Sequence, residues 1–197
     1  ACVAAAAIKQ TMTTLLAKLQ GVSGIEAVYT LLCIGEIGRL TDLSADKELE
    51  TILFSAFDSY GDEVKGASAL TLGRVAVGNR AKYLPLIVSK LESDSMEHQY
   101  SLLQALREVI VVGNLTEDEV SKVLTILYGT ASSEEEGVRN VVAECLGRLA
   151  ASNPSKLIQD VHKRFAVSAS PLEKATLISA IKFAVLASEK GELTKIR

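Results

Sequence analysis

The stretch SSEEEGVRNVVAECLGRLAASNP, Ser132 to Pro154, runs from acidic residues into an apolar stripe and then meets a glycine, Gly147, between Leu146 and Arg148. Val138, Val141, Val142, Cys145, Leu146 and Leu149 fall at i, i+3, i+4, i+7, i+8 and i+11. That spacing is one face of an amphipathic helix. Glycine inside a helix costs about 1 kcal/mol relative to alanine, so a helix that keeps Gly147 in its last third has a use for the missing Cβ.

The same feature recurs. LLCIGEIGRL carries Gly35, LTLGRVAVGN carries Gly73, and AECLGRLAAS carries Gly147. Between the last two lies QYSLLQALREVI, with Arg107 in the glycine's place, and after them EKATLISAIKFAVLA, with Lys182 there. Successive spacings are 38, 34, 40 and 35 residues. Periods of this length with two helices each point to an all-α HEAT-repeat solenoid, an ARM-like superhelix of about five helix pairs. The repeats are expected over 23–58, 62–93, 97–130 and 134–168, with partial ones at 1–20 and 171–190, in a single domain, 1–197. Second helices are expected near 46–58, 81–93, 117–130 and 154–167. Their stripes are Leu49, Ile52, Leu53, Ala56; Leu84, Ile87, Val88, Leu91; Val120, Val123, Leu124, Leu127; and Leu157, Ile158, Val161, Phe165.

Start signals support this division. Thr116 with Glu119, and Ser133 with Glu136, have capping-box spacing. Asn153 before Pro154, and Ser170 before Pro171, read as an N-cap followed by proline at the first helical position. The recurring glycine register predicts a crossing where neighbouring helices come too close for a Cβ. Arg107 and Lys182 then imply looser contact or a changed crossing angle. Cys33 and Cys145 share one repeat position with Thr71, Ala105 and Ala180, a slot that wants a small side chain.

The totals narrow the function. The 197 residues are 48% hydrophobic and 23% charged, which excludes disorder, and only 5% aromatic without tryptophan, which suits close helix packing on Leu, Val, Ile and Ala. A net charge of −3 argues against a nucleic-acid surface. No apolar run is long enough to span a bilayer, so no membrane partner is expected. The start, ACVAAAAI, lacks a signal peptide's charged n-region and reads as a chain cut within a helix. Three cysteines, Cys2, Cys33 and Cys145, lack CxxC or CxxH context, which disfavours metal binding and disulfides and fits a reducing compartment.

No catalytic constellation is visible. His98 and His162 lie in different repeats without ligand-spaced neighbours. Gly61, Gly66 and Gly73 do not have phosphate-loop spacing. The acidic runs SSEEEG and TEDE suit helix N-termini, where negative charge is favoured. The chain therefore reads as a non-enzyme without cofactor, metal or small-molecule ligand: a surface for another protein. Off-stripe positions of the second helices are the candidate contacts: Lys47, Glu50, Lys82, Lys90, Glu119, Lys122, Lys156, Lys163 and Arg164.

EEEGVRNVVAECLGRLA (134–150) closely resembles a stretch of the cullin-associated, neddylation-dissociated proteins, also known as TBP-interacting proteins. CIGEIGRLTDLS (33–44), DEVKGASALTLGRVAVGNRAKYLP (62–85), HQYSLLQALREVIV (98–111) and ATLISAIKFAV (175–185) resemble successive segments of the same family in order. The resemblance implies a block of HEAT repeats from the C-terminal half of a long solenoid, the half that lies along the cullin N-terminal region. Such proteins bind cullins lacking the ubiquitin-like modifier and compete with substrate-receptor adaptors, so the implied partner is a cullin and the implied location cytoplasmic and nuclear. Clamping and exchange should need repeats this chain lacks. ASEKGELTKIR (187–197) departs from the family pattern and reads as a frayed end. A transport receptor of the karyopherin type or a phosphatase scaffold would keep the fold with another partner. A cryptic enzyme site is disfavoured.

Overall fold

A computed structural model describes residues 2–58, 61–93 and 98–188, with side chains from residue 6 onward. Among the described residues there are ten α-helices, a 3₁₀ turn that continues the third of them, and no strand. They are α1 (Cys2–Leu19), α2 (Gly24–Leu40), α3 (Leu49–Ser55, continued by the 3₁₀ turn Ala56–Asp58), α4 (Asp62–Gly78), α5 (Arg80–Ser93), α6 (Gln99–Val112), α7 (Glu117–Thr130), α8 (Glu136–Ser152), α9 (Pro154–Val167) and α10 (Pro171–Ser188). This is the all-α helical-repeat architecture of a solenoid. The chain resolves into two compact units, Ala1–Ile87 and Val88–Arg197.

The repeat register reappears in the backbone. The first helices α2, α4, α6 and α8 end at C-caps Thr41, Asn79, Gly113 and Asn153. Each cap is the sixth residue after Gly35, Gly73, Arg107 or Gly147. Asn79 and Asn153 share nearly one conformation, φ −140°, ψ 80° and φ −140°, ψ 71°, and each alone separates its first helix from the next. At the third repeat the chain turns instead through Gly113 (φ 77°) and Asn114 (φ 62°), left-handed backbone that glycine and asparagine tolerate best.

In the first unit α2 and α4 pack along most of their length. Ala67, Ser68, Thr71, Leu72 and Val75 of α4 are buried. The Thr71 hydroxyl donates to the Leu31 carbonyl of α2 at 2.8 Å, and the Ser68 hydroxyl to that of Leu53 in α3 at 2.7 Å. A Cβ on Gly35 would stand 3.2 Å from the Thr71 Cα, tighter than ordinary contact. The closest approach lies one turn on. A Cβ on Gly38 would stand 2.5 Å from Val75 Cγ2, and one on Gly78 would run into the Gly38 carbonyl oxygen and lie 2.9 Å from that of Thr41. Gly35 and Gly38, three apart, share a helix face; counting one glycine per repeat passes over Gly38 and Gly78.

In the second unit α8 lies between α6 and α10. All six stripe residues from Val138 to Leu149 are buried, as are Ala143, Gly147 and Ala150. Full burial stabilises by roughly 1.5–3 kcal/mol for each large apolar side chain. A Cβ on Gly147 would lie 2.5 Å from Phe183 Cβ, 2.6 Å from the Ala180 carbonyl oxygen and 2.8 Å from the Ala184 nitrogen, all in α10. Gly35 and Gly147 thus do one job, at crossings between the first helices of successive layers, and Gly73 is buried in α4. The α6–α8 contact, with Arg107 at this register, is less extensive than those of α2–α4 and α8–α10.

Three local expectations need correction. The helix expected at 46–58 is shorter, Leu49–Ser55, so Lys47 lies in the turn before it. Ser133 does not cap α8: the N-cap is Glu135, whose N–H instead bonds Ser133 Oγ at 3.3 Å. Cys33 is exposed while Cys145 is fully buried. α8 has a neighbouring first helix on each side, but α2 packs mainly on α4, and α1 touches it too sparingly to cover Cys33. The small-residue reading therefore holds for Cys145 and not for Cys33. The Thr116–Glu119 capping box is present, and Ser170 Oγ accepts from the Glu173 N–H at 3.2 Å. Cys2 and ASEKGELTKIR were singled out from sequence; the Cys2 side chain and residues 189–197 lie outside the described residues.

Candidate protein-binding surface

Apolar stripes turn inward, so the opposite faces of the second helices carry the charge. In the first unit, two of the predicted residues meet: Lys82 Nζ of α5 pairs with Glu50 of α3 at 2.6 Å. The bond to Glu50 raises the lysine pKa further. The ammonium also lies 4.8 Å from the Tyr83 ring. Tyr83 is fully buried, and burial raises its pKa while the neighbouring Lys82 ammonium opposes the rise. Lys47 is exposed beside Glu48.

In the second unit Lys90 is half-buried near the end of α5. Glu119 is committed to its capping box, accepting from the Thr116 N–H at 2.7 Å. Lys122 pairs with Asp118 one turn back at 2.8 Å, and Lys163 stands 3.9 Å from Asp160. Arg164 bonds Glu173 of α10 at 2.6 Å and lies 5.0 Å from the Tyr128 ring of α7. Burial opposes charge on Glu173. The Ser168 hydroxyl and Arg164 more than offset this and hold it below the usual carboxylate value. Seven of the nine predicted residues, Lys90 included, are therefore already engaged within the chain, and exposed pairs of this kind are individually weak.

Lys156 is different. It is exposed at the start of α9, beside a cleft of about 420 Å³ between α7 and α9. Ile110, Leu149 and Leu157 give the cleft an apolar floor, and Glu117, Arg148, Lys156 and Asp160 rim it. Apolar floor and charged rim are what a protein contact needs at its centre and edge. The rim at Glu117, Arg148 and Asp160 was not singled out from sequence. Arg148 follows Gly147 and reads as a packing neighbour, and only the closeness of two second helices makes it part of a surface.

The remaining chemistry is sparse. Among the described residues no group of three or more His, Cys, Asp or Glu could hold a metal ion, and no helix is long and apolar enough to cross a membrane. His98 is the N-cap of α6 and His162 is exposed on α9. Burial raises the Cys145 thiol pKa strongly, which leaves it unreactive. Gly61 is the N-cap of α4 and Gly66 lies within that helix. The acidic residues of TEDE and SSEEEG fall in the first turns of α7 and α8 or just before them.

No protein-family model matches the chain. Individual proteins do. It is 40% identical over 171 residues to cullin-associated NEDD8-dissociated protein 1 of Arabidopsis thaliana, covering 84% of this chain and 14% of the relative. To the Dictyostelium discoideum protein of the same name it is 34% identical over 189 residues, 92% of this chain and 15% of the relative. It is 31% identical over 129 residues to a protein of Emericella nidulans named as the C-terminal part of cullin-associated NEDD8-dissociated protein 1, 64% of this chain and 12% of the relative. The chain thus spans about one seventh of the length of the curated relatives it matches.

Proposed function

Because the chain belongs to the cullin-associated NEDD8-dissociated family, we propose that it is a block of a non-catalytic scaffold that binds a cullin. The identity to the Arabidopsis protein over 84% of the chain carries this reading, since 171 residues are far more than one repeat. On this reading the block comes from the C-terminal half of a longer protein, in cytoplasm and nucleus. It lies along the N-terminal region of a cullin lacking its ubiquitin-like modifier, where substrate-receptor adaptors compete for space. Clamping and receptor exchange belong to the whole protein.

The second-helix faces are the natural contact. Lys156 and Asp160 beside the cleft would meet complementary charges, and Leu149 and Leu157 supply apolar area. A stable complex needs more than about 1,000 Å² buried in total, so the cleft would be the centre of a footprint shared by several layers.

The test is a titration of the full-length parent against unmodified and modified cullin–RING complex, with Lys156→Glu beside the wild type. Binding should favour the unmodified complex, and the charge reversal should weaken it about fivefold. Equal binding to both complexes, or to neither, removes the proposal.

A further inference from the structure

The cleft between α7 and α9 has a filled counterpart in the first unit. Eight residues, Thr41–Glu48, join α2 to α3, whereas four, Gly113–Thr116, join α6 to α7. The longer passage lies against the junction of α4 and α5. Its Leu43 is buried, with Cδ1 3.2 Å from the Cβ position of Gly38. The Asp42 carboxylate accepts from the Ser44 N–H at 2.8 Å. Ser44 and the Asn79 side chain hold the Asp42 pKa below the usual carboxylate value. Lys82 donates to the Ser44 carbonyl at 3.4 Å and pairs with Glu50.

Counted from the crossing residues, Gly38, Asn79 and Lys82 correspond to Ile110, Asn153 and Lys156. These three counterparts all line the cleft of about 420 Å³. The groups that hold the passage in the first unit are idle in the second. Asn79 Oδ1 accepts from the Lys82 N–H at 3.1 Å, but the Asn153 side chain does not cap α9. Lys156 is exposed and has no ion pair among the described residues. Its missing partner is explained on α7. Ser121 stands where Glu50 stands in α3, each following the first residue of its stripe, and Ser121 lines the cleft too.

We propose that this cleft takes a short non-helical segment of a bound protein in which an Asp or Glu directly precedes a leucine-sized apolar residue, as Asp42 precedes Leu43. The carboxylate meets the Asn153 amide and the Lys156 ammonium, a charge-assisted contact. The apolar side chain rests on Leu149 and Leu157. Glu117 and Asp160 stand on the same rim, so the segment carries one acid and not a run of them. The proposal rests on the cullin-binding reading for the source of the segment and not for its chemistry. A second copy of this chain is a poor source, because its Leu43 is 3% exposed and its Asp42 is already held.

The probe is a peptide with the sequence 40–45, LTDLSA, blocked at both ends and titrated into the isotope-labelled 197-residue chain under NMR. It should bind with a Kd of about 1 mM and shift the Asn153 side-chain amide. Asp42→Asn in the peptide, or Lys156→Glu in the chain, should each weaken binding about three- to fivefold. Leu43→Ala in the peptide should abolish the shift. Ser121→Glu gives Lys156 a partner within the chain and should weaken the peptide in the same way. Ser121 and Lys156 are exposed, so both variants should keep the wild-type circular dichroism. Asp42→Lys peptide should regain affinity on the Lys156→Glu chain. No binding at several millimolar peptide, or binding indifferent to Lys156→Glu and Ser121→Glu, overturns the proposal. A parent that fails to bind cullin while the peptide still binds removes the cullin reading and leaves this one standing.

Discussion

Gly147→Ala puts the crossing of α8 and α10 to a direct test. The new Cβ would sit 2.6 Å from the Ala180 carbonyl oxygen and 2.8 Å from the Ala184 nitrogen. These are backbone atoms of a helix and cannot turn aside as a side chain can. Ordinary contact begins near 3.5 Å, so α10 must retreat by about 1 Å, enough to forfeit a quarter to a half of the dispersion energy along the seam. Overpacking of this kind costs about 1–3 kcal/mol, and backbone contacts place Gly147 at the upper end. Removing glycine from a helix interior returns about 1 kcal/mol. The net expectation is about 2 kcal/mol of destabilisation, or roughly 4–8 °C in Tm. Urea and thermal denaturation followed by circular dichroism measure it. Gly66→Ala is the control: it lies inside α4 with nothing within 4 Å of its Cβ position, and should stabilise by about 0.5–1 kcal/mol. If Gly147→Ala is as stable as the wild type, or both variants move alike, close approach is not why the glycine is there.

Tyr128→Phe should stabilise the second unit by about 1 kcal/mol, read from urea midpoints, because it removes a buried hydroxyl that has no hydrogen-bond partner among the described residues. Glu173→Gln should destabilise by about 2 kcal/mol at neutral pH, discounted for the partial exposure of Arg164. Glu173 has a depressed folded pKa, so its contribution is present above the unfolded carboxylate value and lost as pH falls through the folded one. The wild-type and Glu173→Gln stability curves should therefore converge below about pH 4; a constant gap down to pH 2 would refute this. Alkylation of the native protein followed by peptide mass mapping should label Cys33 and spare Cys145 until denaturant is added.

The architecture was legible because one physical requirement repeats. A stripe at helical spacing with a small residue beside it appears at Gly35, Gly73 and Gly147, and the six-residue run to each cap follows from it. What stayed hidden depends on which neighbour a layer has. Cys33 and Cys145 are identical in repeat position, yet one is open because α1 covers α2 so little and the other is closed by α6 and α10. The Ser133 cap failed because the chain enters α8 through Glu135 and leaves the serine one position too far back. Of the candidate contacts, charge marked the residues but not their pairings. Lys82 with Glu50, and Arg164 with Glu173, are brought together across helices, a relation that no spacing along one helix reveals.

Asn79 and Asn153 each stand alone between two helices. A junction of one residue has no slack. An added residue would turn the following helix by about 100° and shift it by about 1.5 Å. After Asn153, that rotation would carry Leu157 and Val161 out of the interior and swing Lys156 and Asp160 away from the cleft. Insertions and deletions are therefore intolerable at these two points. Length variation among relatives should gather in the passage from Thr41 to Glu48, where the chain is not held in a helix and has room to bulge.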